Sequence, residues 1–168
     1  VEAGMLEALL GAMPADASMA YGHYRKAIDG ELADAPVIDC LEGALRNDFD
    51  FGPAIVFRTS ALKEYLAMEL EDYGYAGFYQ LRLALERLGK IFRFNGYLSQ
   101  ESESDNRKSG EKQFDYVNPA QRAVQIEMER ACTAHLKAVG ALLPPCKYKE
   151  IDLSIGDFTV EASVVIPV

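Results

Sequence analysis

The sequence is short of basic residues. Seventeen lysines and arginines stand against 26 aspartates and glutamates, so the formal net charge is −9 at pH 7. A general nucleic-acid-binding protein needs a basic surface to neutralise phosphates, and an anionic membrane attracts basic segments. The charge therefore argues against both kinds of partner. Anionic nucleotide sugars stay open as ligands, because a local group of arginines can oppose the overall sign.

Long apolar runs are lacking as well. No stretch approaches the roughly 18–20 apolar residues that a transmembrane helix needs. The N-terminus also lacks the basic and apolar regions of a secretory signal. We therefore expect no transmembrane segment. Val1 is not a natural start, which suggests that the chain was cut from a longer protein.

Cysteine is scarce, with three residues, Cys40, Cys132 and Cys146. The count is odd, and the three are not at the spacing of a metal site. Cys132 also falls inside a helical pattern. Reduced thiols in a cytoplasmic protein are the plainer interpretation, with a disulfide as the alternative.

Helical and strand-like patterns interleave along the chain. This predicts an α/β or α+β fold in which helices flank a short sheet. Asp29-Gly30 indicates a turn after the first strand. The predicted helices cover 5–13, about 60–70, 78–88 and 118–140, and the predicted strands cover 18–24, 35–38, 55–57, 90–95, 97–100 and 161–166.

Several residues signal where these helices begin and end. Pro14 stops the first helix, and Thr59 or Ser60 is expected to cap the second. Gly89 is expected to end the third helix in the left-handed conformation. Asn118-Pro119 is a strong start for the long C-terminal helix, after a polar stretch that predicts a solvated loop.

The last eight residues, EASVVIPV, predict a strand that is too apolar for the edge of a sheet. They resemble the first strand of a family 2 glycosyltransferase domain, whose turn leads into the nucleotide site. The resemblance implies that residues 161–168 begin a further glycosyltransferase domain of the same chain.

A longer resemblance to the same family lies upstream. It follows the order of the back half of the catalytic domain and is carried by Gly52, residues 54–57, Arg58, Ala61-Leu62, Glu71-Asp72, Leu81-Arg82-Leu83 and residues 90–94. The segments AGFYQLRL, RKSGEKQFDYV and AVQIEMERACTAHLKAVGALLPP resemble tandem bacterial proteins, in which a degenerate first domain precedes a complete second one.

The resemblance implies both a layout and a function. The layout is a partial glycosyltransferase-A-like domain over 1–100, a polar loop over 101–117, the long helix over 118–140 and a linker over 141–160. The longer protein would transfer a sugar from a nucleotide-sugar donor to a saccharide acceptor in polysaccharide biosynthesis. A divalent metal, Mg or Mn, would serve that protein, whereas no cofactor is expected in this segment.

The chain departs from the family at the catalytic acids. The family pattern E-D-x-D-L-x-x-R-L supplies a carboxylate that deprotonates the acceptor hydroxyl. An alignment on Leu81-Arg82-Leu83 places the residues 75–78, Tyr-Ala-Gly-Phe, where those acids should be. Glu71 and Asp72 could take the place of those acids only if the loop were shifted by a few residues relative to the family pattern. We therefore expect this segment to be non-catalytic.

Asp48-Phe49-Asp50 resembles the D-x-D motif that holds a divalent ion on a nucleotide diphosphate. In the family, that motif closes a strand in the front half of the domain, whereas this one precedes a back-half strand. A turn with solvated or capping aspartates is therefore favoured over metal binding by Asp48 and Asp50.

Arg58, Arg82 and Tyr79 are candidates for substrate binding. A guanidinium suits phosphate and sugar oxygens, and the alternative for each arginine is an ion pair within the protein. Tyr79 belongs to an aromatic group with Tyr73, Tyr75 and Phe78. Saccharides stack on such side chains, but core filling at the head of a helix is the favoured role.

The two histidines, His23 and His135, have no partner at metal-ligand spacing. We expect both to be packed and hydrogen-bonded rather than functional.

Three hypotheses remain from the sequence. The chain is a fragment of a sugar-transferring enzyme, an accessory domain without enzymatic role that positions the following glycosyltransferase domain, or an unrelated interaction module. A homodimer through an exposed strand edge at Val164–Ile166 is a further possibility.

Overall fold

The computed structural model describes residues 3–28, 31–102, 122–144, 149–150, 152, 154 and 156. Helices and strands interleave along them, so the predicted mixed α/β class is confirmed. The elements in chain order are α1 (Met5–Ala12), β1 (Ala17–Ile28), β2 (Glu31–Ala35), β3 (Ile55–Phe57), α2 (Thr59–Leu66), α3 (Gly77–Leu88), β4 (Lys90–Ser102) and α4 (Arg122–Ala138).

β1 is the central strand of a four-stranded sheet. β4 pairs with it in parallel, with Met19 opposite Ile91. β3 pairs with the first half of β1 antiparallel, so that Met19 also lies opposite Phe57. β2 pairs antiparallel with the second half, where Tyr24 lies opposite Ala35. Because a strand has two edges, β4 occupies one edge of β1, and β3 and β2 share the other.

Both faces of β1 are covered. On one face, α1 packs through a cluster of Leu9, Ala20 and Leu98. On the other face, α2 and α3 pack through a cluster of Met19, Tyr21, Tyr24, Val37, Phe51, Ala61 and Leu85. α4 packs against α3 through a third cluster, formed by Ala76, Tyr79, Leu83 and Ala131. Burial on two faces explains why the residues from Ala17 to Tyr21 are all apolar or small.

The hairpin between β1 and β2 extends beyond its predicted limits. β1 continues to Ile28 rather than ending at Tyr24, and β2 covers Glu31–Ala35 rather than 35–38. The polar end of β1 is stabilised across the hairpin, because Arg25 pairs with Asp34 at 3.2 Å. A cross-strand ion pair stabilises the pairing of two strands even where their residues are as polar as those of a loop.

β4 is one strand where two were predicted. Its pairing with β1 shifts between Gly22 and His23, which lie opposite Phe94 and Tyr97. The two intervening residues are therefore a bulge within the strand and not a break between strands. β4 also continues through Ser102, so the predicted polar loop does not begin at residue 101.

Both ends of α2 and the conformation of Gly89 differ from the prediction. α2 begins at Thr59 with Arg58 as its N-cap, and it ends at Leu66, before Leu70. Gly89 is extended, with φ 172° and ψ 176°, rather than left-handed. A Cβ at Gly89 would lie 2.5 Å from the carbonyl oxygen of Asp16, so the close approach of α3 to the start of β1 is what requires glycine.

Other helix ends agree with the sequence. α1 ends at Ala12, just before Pro14, and α3 begins and ends within one residue of its prediction. Gly140 follows α4 with a left-handed φ of 73°. The expected helix start at Asn118-Pro119, Cys146 and the expected strand at 161–166 lie outside the described residues. Within the part that is described, no helix is both long and apolar enough to cross a membrane.

Candidate functional site

Arg82 and Tyr79 project from α3 and hold the loop before β3. Arg82, whose side chain is 1% exposed, donates to the carbonyl oxygens of Ala44 at 2.5 Å and Arg46 at 2.7 Å. The Tyr79 hydroxyl donates to the carbonyl oxygen of Leu45 at 2.5 Å, and burial raises the pKa of this phenol well above its ordinary value. The two side chains therefore donate hydrogen bonds to the carbonyl oxygens of three successive residues, Ala44, Leu45 and Arg46.

Arg58 also binds backbone carbonyls. Its Nε donates to Ala17 at 2.6 Å, and a terminal nitrogen donates to Pro14 at 2.7 Å. The backbone N–H of Arg58 donates to the carbonyl oxygen of Ser18 at 2.8 Å. The residue thus ties the start of α2 to the connection between α1 and β1.

Asp48 and Asp50 have different partners. Asp48 is paired with Arg46 at 2.6 Å, and this guanidinium lowers the pKa of the Asp48 carboxyl. Asp50 accepts from the backbone N–H of Gly52 at 2.8 Å and from the Tyr24 hydroxyl at 3.0 Å. Among the described residues no group of three His, Cys, Asp or Glu side chains is placed to hold a metal ion. Asp48 is thus engaged in an ion pair, and Asp50 caps the turn at Gly52.

Glu71 and Asp72 lie in the segment between α2 and α3. Glu71 is paired with Arg130 of α4 and accepts from the Tyr73 hydroxyl at 2.9 Å. Asp72 is exposed, and its charge adds to the effect of burial that raises the pKa of Tyr65. Glu71 lines an open cleft of about 410 Å³ with residues of α4. Its carboxylate oxygens are thus engaged by Arg130 and by Tyr73 within the protein.

Glu127 of α4 is the residue that the sequence did not reveal. Its Oε2 accepts from the backbone N–H groups of Tyr75 at 2.6 Å and Ala76 at 3.1 Å, at the head of α3. These hydrogen bonds lower the pKa of the Glu127 carboxyl. A carboxylate is favourable at this end of a helix because the first backbone N–H groups lack partners within the helix.

The aromatic group at the head of α3 divides into two pairs. Tyr79 is 5% exposed and Tyr73 is half-buried, so packing is the correct role for them. For Tyr75 and Phe78 the expected core role is wrong, because they are 60% and 48% exposed. The Phe78 ring packs with its edge near Phe51, at 6.2 Å between ring centres.

Both histidines are packed, as predicted. His23 is 9% exposed, and its Nδ1 accepts from the Val37 backbone N–H at 3.0 Å. His135 is 5% exposed, and its Nδ1 lies 3.0 Å from a guanidinium nitrogen of Arg87. Burial and the Arg87 charge lower the pKa of His135, so the neutral ring is the form that accepts this hydrogen bond.

A second cleft, of about 510 Å³, opens beside the C-terminal end of α3. Lys90 and Asp16 form an ion pair of 2.7 Å at its wall. Burial raises the pKa of the Cys40 thiol in the same wall, which keeps it protonated. The described residues that line it include none of the seven site candidates, and they come from separate segments that no sequence motif connects.

The sequence candidates therefore lie in three places. Tyr79 and Arg82 hold the loop that carries Asp48, Glu71 contacts α4, and Arg58 contacts the connection between α1 and β1. Comparison with protein-family models, with curated proteins and with solved structures found no match.

Proposed function

We propose that this chain belongs to a cytoplasmic sugar-transferring protein that resembles the family 2 glycosyltransferases, and that the part described here is its non-catalytic framework. In this proposal the longer protein transfers a sugar from a nucleotide-sugar donor to a saccharide acceptor. The chemistry takes place in a following glycosyltransferase domain, which also holds any Mg or Mn ion.

The single observation that carries the non-catalytic role is the contact at the head of α3. The family's acids would fall at residues 75–78, and here the backbone of Tyr75 and Ala76 is capped by Glu127. The Glu127 carboxylate is held by these N–H groups with a lowered pKa, so it is a poor proton acceptor.

The hydrogen bonds of the other candidates support the same proposal. Arg58 and Arg82 bind backbone carbonyls, which leaves their guanidinium groups committed to the fold. The Asp50 carboxylate accepts hydrogen bonds from the Gly52 N–H and the Tyr24 hydroxyl, so its oxygens are engaged within the fold. A framework role accounts for all of these contacts, whereas a nucleotide site would need them to be broken.

Calorimetry with UDP and with GDP, each with and without manganese chloride, tests the proposal. We expect no binding tighter than about 1 mM. The matched control is a double variant, Asp48→Asn with Asp50→Asn, which removes the charges of the D-x-D motif. Micromolar binding that this variant abolishes would show a working nucleotide site and would contradict the non-catalytic role.

A further inference from the structure

The cleft beside the C-terminal end of α3 is lined by three segments of the chain. The loop after β2 contributes Cys40 and Glu42, the end of α3 and the start of β4 contribute residues 86–91, and Asp16 comes from just before β1. The volume of about 510 Å³ lies in the range of small-molecule sites. The proposed function uses none of these residues, so the cleft can have a role of its own.

Backbone hydrogen bonds join the three segments. The Gly43 N–H donates to the Glu86 carboxylate at 2.5 Å, which ties the loop to α3. The Lys90 N–H donates to the Asp16 carbonyl oxygen at 2.9 Å, which ties β4 to the start of β1. A site that is already ordered loses little conformational entropy when a ligand binds.

Arg87, in the lining of this cleft, has two donor nitrogens without a partner. One terminal nitrogen donates to the Leu83 carbonyl oxygen at 3.3 Å and lies 3.0 Å from Nδ1 of His135. Within the described part of the chain, Nε and the other terminal nitrogen have no acceptor. This side of a guanidinium binds a carboxylate through two parallel hydrogen bonds. Burial lowers the pKa of Arg87, with Glu86 opposing it, so a bound anion would stabilise the charged form.

Glu42 offers a charge of the opposite sign in the same cleft. Its side chain is exposed, and no residue in the described ranges donates a hydrogen bond to its carboxylate or forms an ion pair with it. The pKa of Lys90 is raised by its hydrogen bond to Asp16 and, less strongly, by the charge of Glu42. Lys90 is held by Asp16 at 2.7 Å, so the Glu42 carboxylate can accept an ammonium group from a ligand.

The two unpartnered charges belong to neighbouring parts of the fold. Glu42 precedes Gly43 and Arg87 follows Glu86, and Gly43 and Glu86 are joined by the 2.5 Å hydrogen bond. A ligand that meets both charges therefore carries an anion and a cation a short distance apart. Such a zwitterion is neutral, so the net charge of −9 does not oppose its approach.

The remaining lining includes apolar side chains. Cys40, Leu88 and Ile91 are half-buried and pack against the main core cluster. The Cys40 thiol, protonated because burial raises its pKa, adds no charge. These side chains favour a ligand that also has an apolar group to bury.

We propose that this cleft binds a free α-amino acid with an apolar side chain. The ligand carboxylate binds Nε and the unpartnered terminal nitrogen of Arg87, the ligand ammonium binds Glu42, and its side chain packs on Leu88 and Ile91. No bond is made or broken. The inference goes beyond the proposed function, because it requires no sugar chemistry.

Calorimetry and NMR titration with L-leucine, L-methionine and L-phenylalanine test this inference. We expect at least one of them to bind with a dissociation constant of about 0.1–5 mM. The N-acetyl and the amide derivatives of that amino acid should each bind at least about tenfold more weakly, because each lacks one of the two charges.

Variants assign the charges to residues. Glu42→Gln should weaken binding of the amino acid by at least about tenfold and leave binding of its N-acetyl derivative unchanged. Arg87→Gln should do the same for the amino acid and leave binding of the amide unchanged. Glu64→Gln is the matched control, since Glu64 is an exposed acid of α2 that does not line the cleft.

Thermal unfolding of every variant checks that it is folded. Glu42 is exposed and unpaired, so Glu42→Gln keeps the test decisive even if Arg87→Gln unfolds through the loss of its His135 contact. The inference is overturned if none of the three amino acids binds below about 5 mM, if both derivatives bind as tightly as the amino acid, or if Glu42→Gln and Glu64→Gln bind it alike.

This result is separate from the nucleotide calorimetry. UDP and GDP test Asp48 and Asp50, and neither residue lines the cleft. The two proposals can therefore fail independently.

Discussion

The Glu127 carboxylate lies 2.6 Å from the backbone nitrogen of Tyr75, although the two residues are 52 positions apart in the sequence. The N-cap residue of α3, Ala76, makes no side-chain cap, and a residue of another helix instead accepts from the N–H groups of Tyr75 and Ala76, just before α3 begins. The same contact attaches α4 to α3, so it serves local helix stability and tertiary packing together.

Glu127→Ala should therefore destabilise the protein. The variant leaves the N–H groups of Tyr75 and Ala76 without their acceptor and removes a favourable charge at the head of α3. We expect the midpoint of thermal unfolding, measured by circular dichroism, to fall by a few degrees.

Glu129→Ala is the control for that change, because Glu129 is an exposed residue of the same helix. Equal midpoints for the two variants would mean that the cap contributes nothing. The stabilisation from Glu127 should also be lost in acid. Its pKa is lowered in the folded protein, so this contribution is present above the unfolded pKa and declines as pH falls through the folded pKa.

Arg82→Met should cost about 2–4 kcal/mol in the free energy of unfolding. The substitution keeps much of the apolar volume of the buried Arg82 side chain but removes the donor from two part-buried hydrogen bonds to the carbonyl oxygens of Ala44 and Arg46. Urea unfolding at neutral pH measures the loss. Arg46→Met removes an exposed guanidinium instead and should change stability by less than about 0.5 kcal/mol. Similar values for the two variants would contradict the structural role of Arg82.

Gly89→Ala should destabilise the protein by at least about 2 kcal/mol. Its Cβ would lie 2.5 Å from the Asp16 carbonyl oxygen and 3.1 Å from the Ser18 backbone nitrogen, and backbone atoms cannot move aside cheaply. Gly77→Ala is the contrasting variant, because nothing lies within 4 Å of its Cβ position. It should be neutral or slightly stabilising, by up to about 1 kcal/mol. Urea unfolding separates the two outcomes.

His135 should make stability fall below about pH 6.5, the ordinary pKa of histidine. Its pKa is lowered in the folded protein by burial and by Arg87, with Arg82 acting in the same sense and Glu86 opposing them. The unfolded chain therefore binds the proton more readily, so acid favours unfolding between the folded and unfolded pKa values.

Unfolding free energies of the unchanged protein and of His135→Gln, measured from pH 5 to 8, check this expectation. The variant should show a shallower decline below pH 6.5, because it has lost the proton uptake at this site. His23 is present in both proteins, so the difference between their profiles reports on His135. If the unfolding free energies of the two proteins declined in parallel with pH, His135 would not be the cause of the decline.

The strongest sequence predictions were those that depend on local pattern. The apolar run at 55–57 is β3, and the stripe ending at Leu88 is α3, because periodicity and nearby glycines are local signals. The predictions were less accurate where pairing between strands decides the structure. The polar end of β1 is a strand that pairs with β2 on one edge and with β4 on the other, where Arg25 lies opposite Gln100, 75 positions away in the sequence.

The candidate site shows the same division. The sequence offers Arg82 as a candidate for substrate binding, with an ion pair within the protein as the alternative. The structure gives it backbone carbonyl partners at Ala44 and Arg46 and a longer, 3.4 Å contact with Glu86. Glu127 has no motif around it, and its role exists only because α4 lies against the head of α3.

By itself, the sequence determined the mixed α/β class and the acidic charge, since these depend on composition and on neighbours along the chain. The tertiary structure alone decided that Tyr79 is buried while Tyr75 and Phe78 face solvent, although all three lie in one segment of five residues, 75–79. The physical reason is that burial depends on which elements pack against a helix. Here α4 and the loop before β3 cover one side of α3 and leave these two rings exposed.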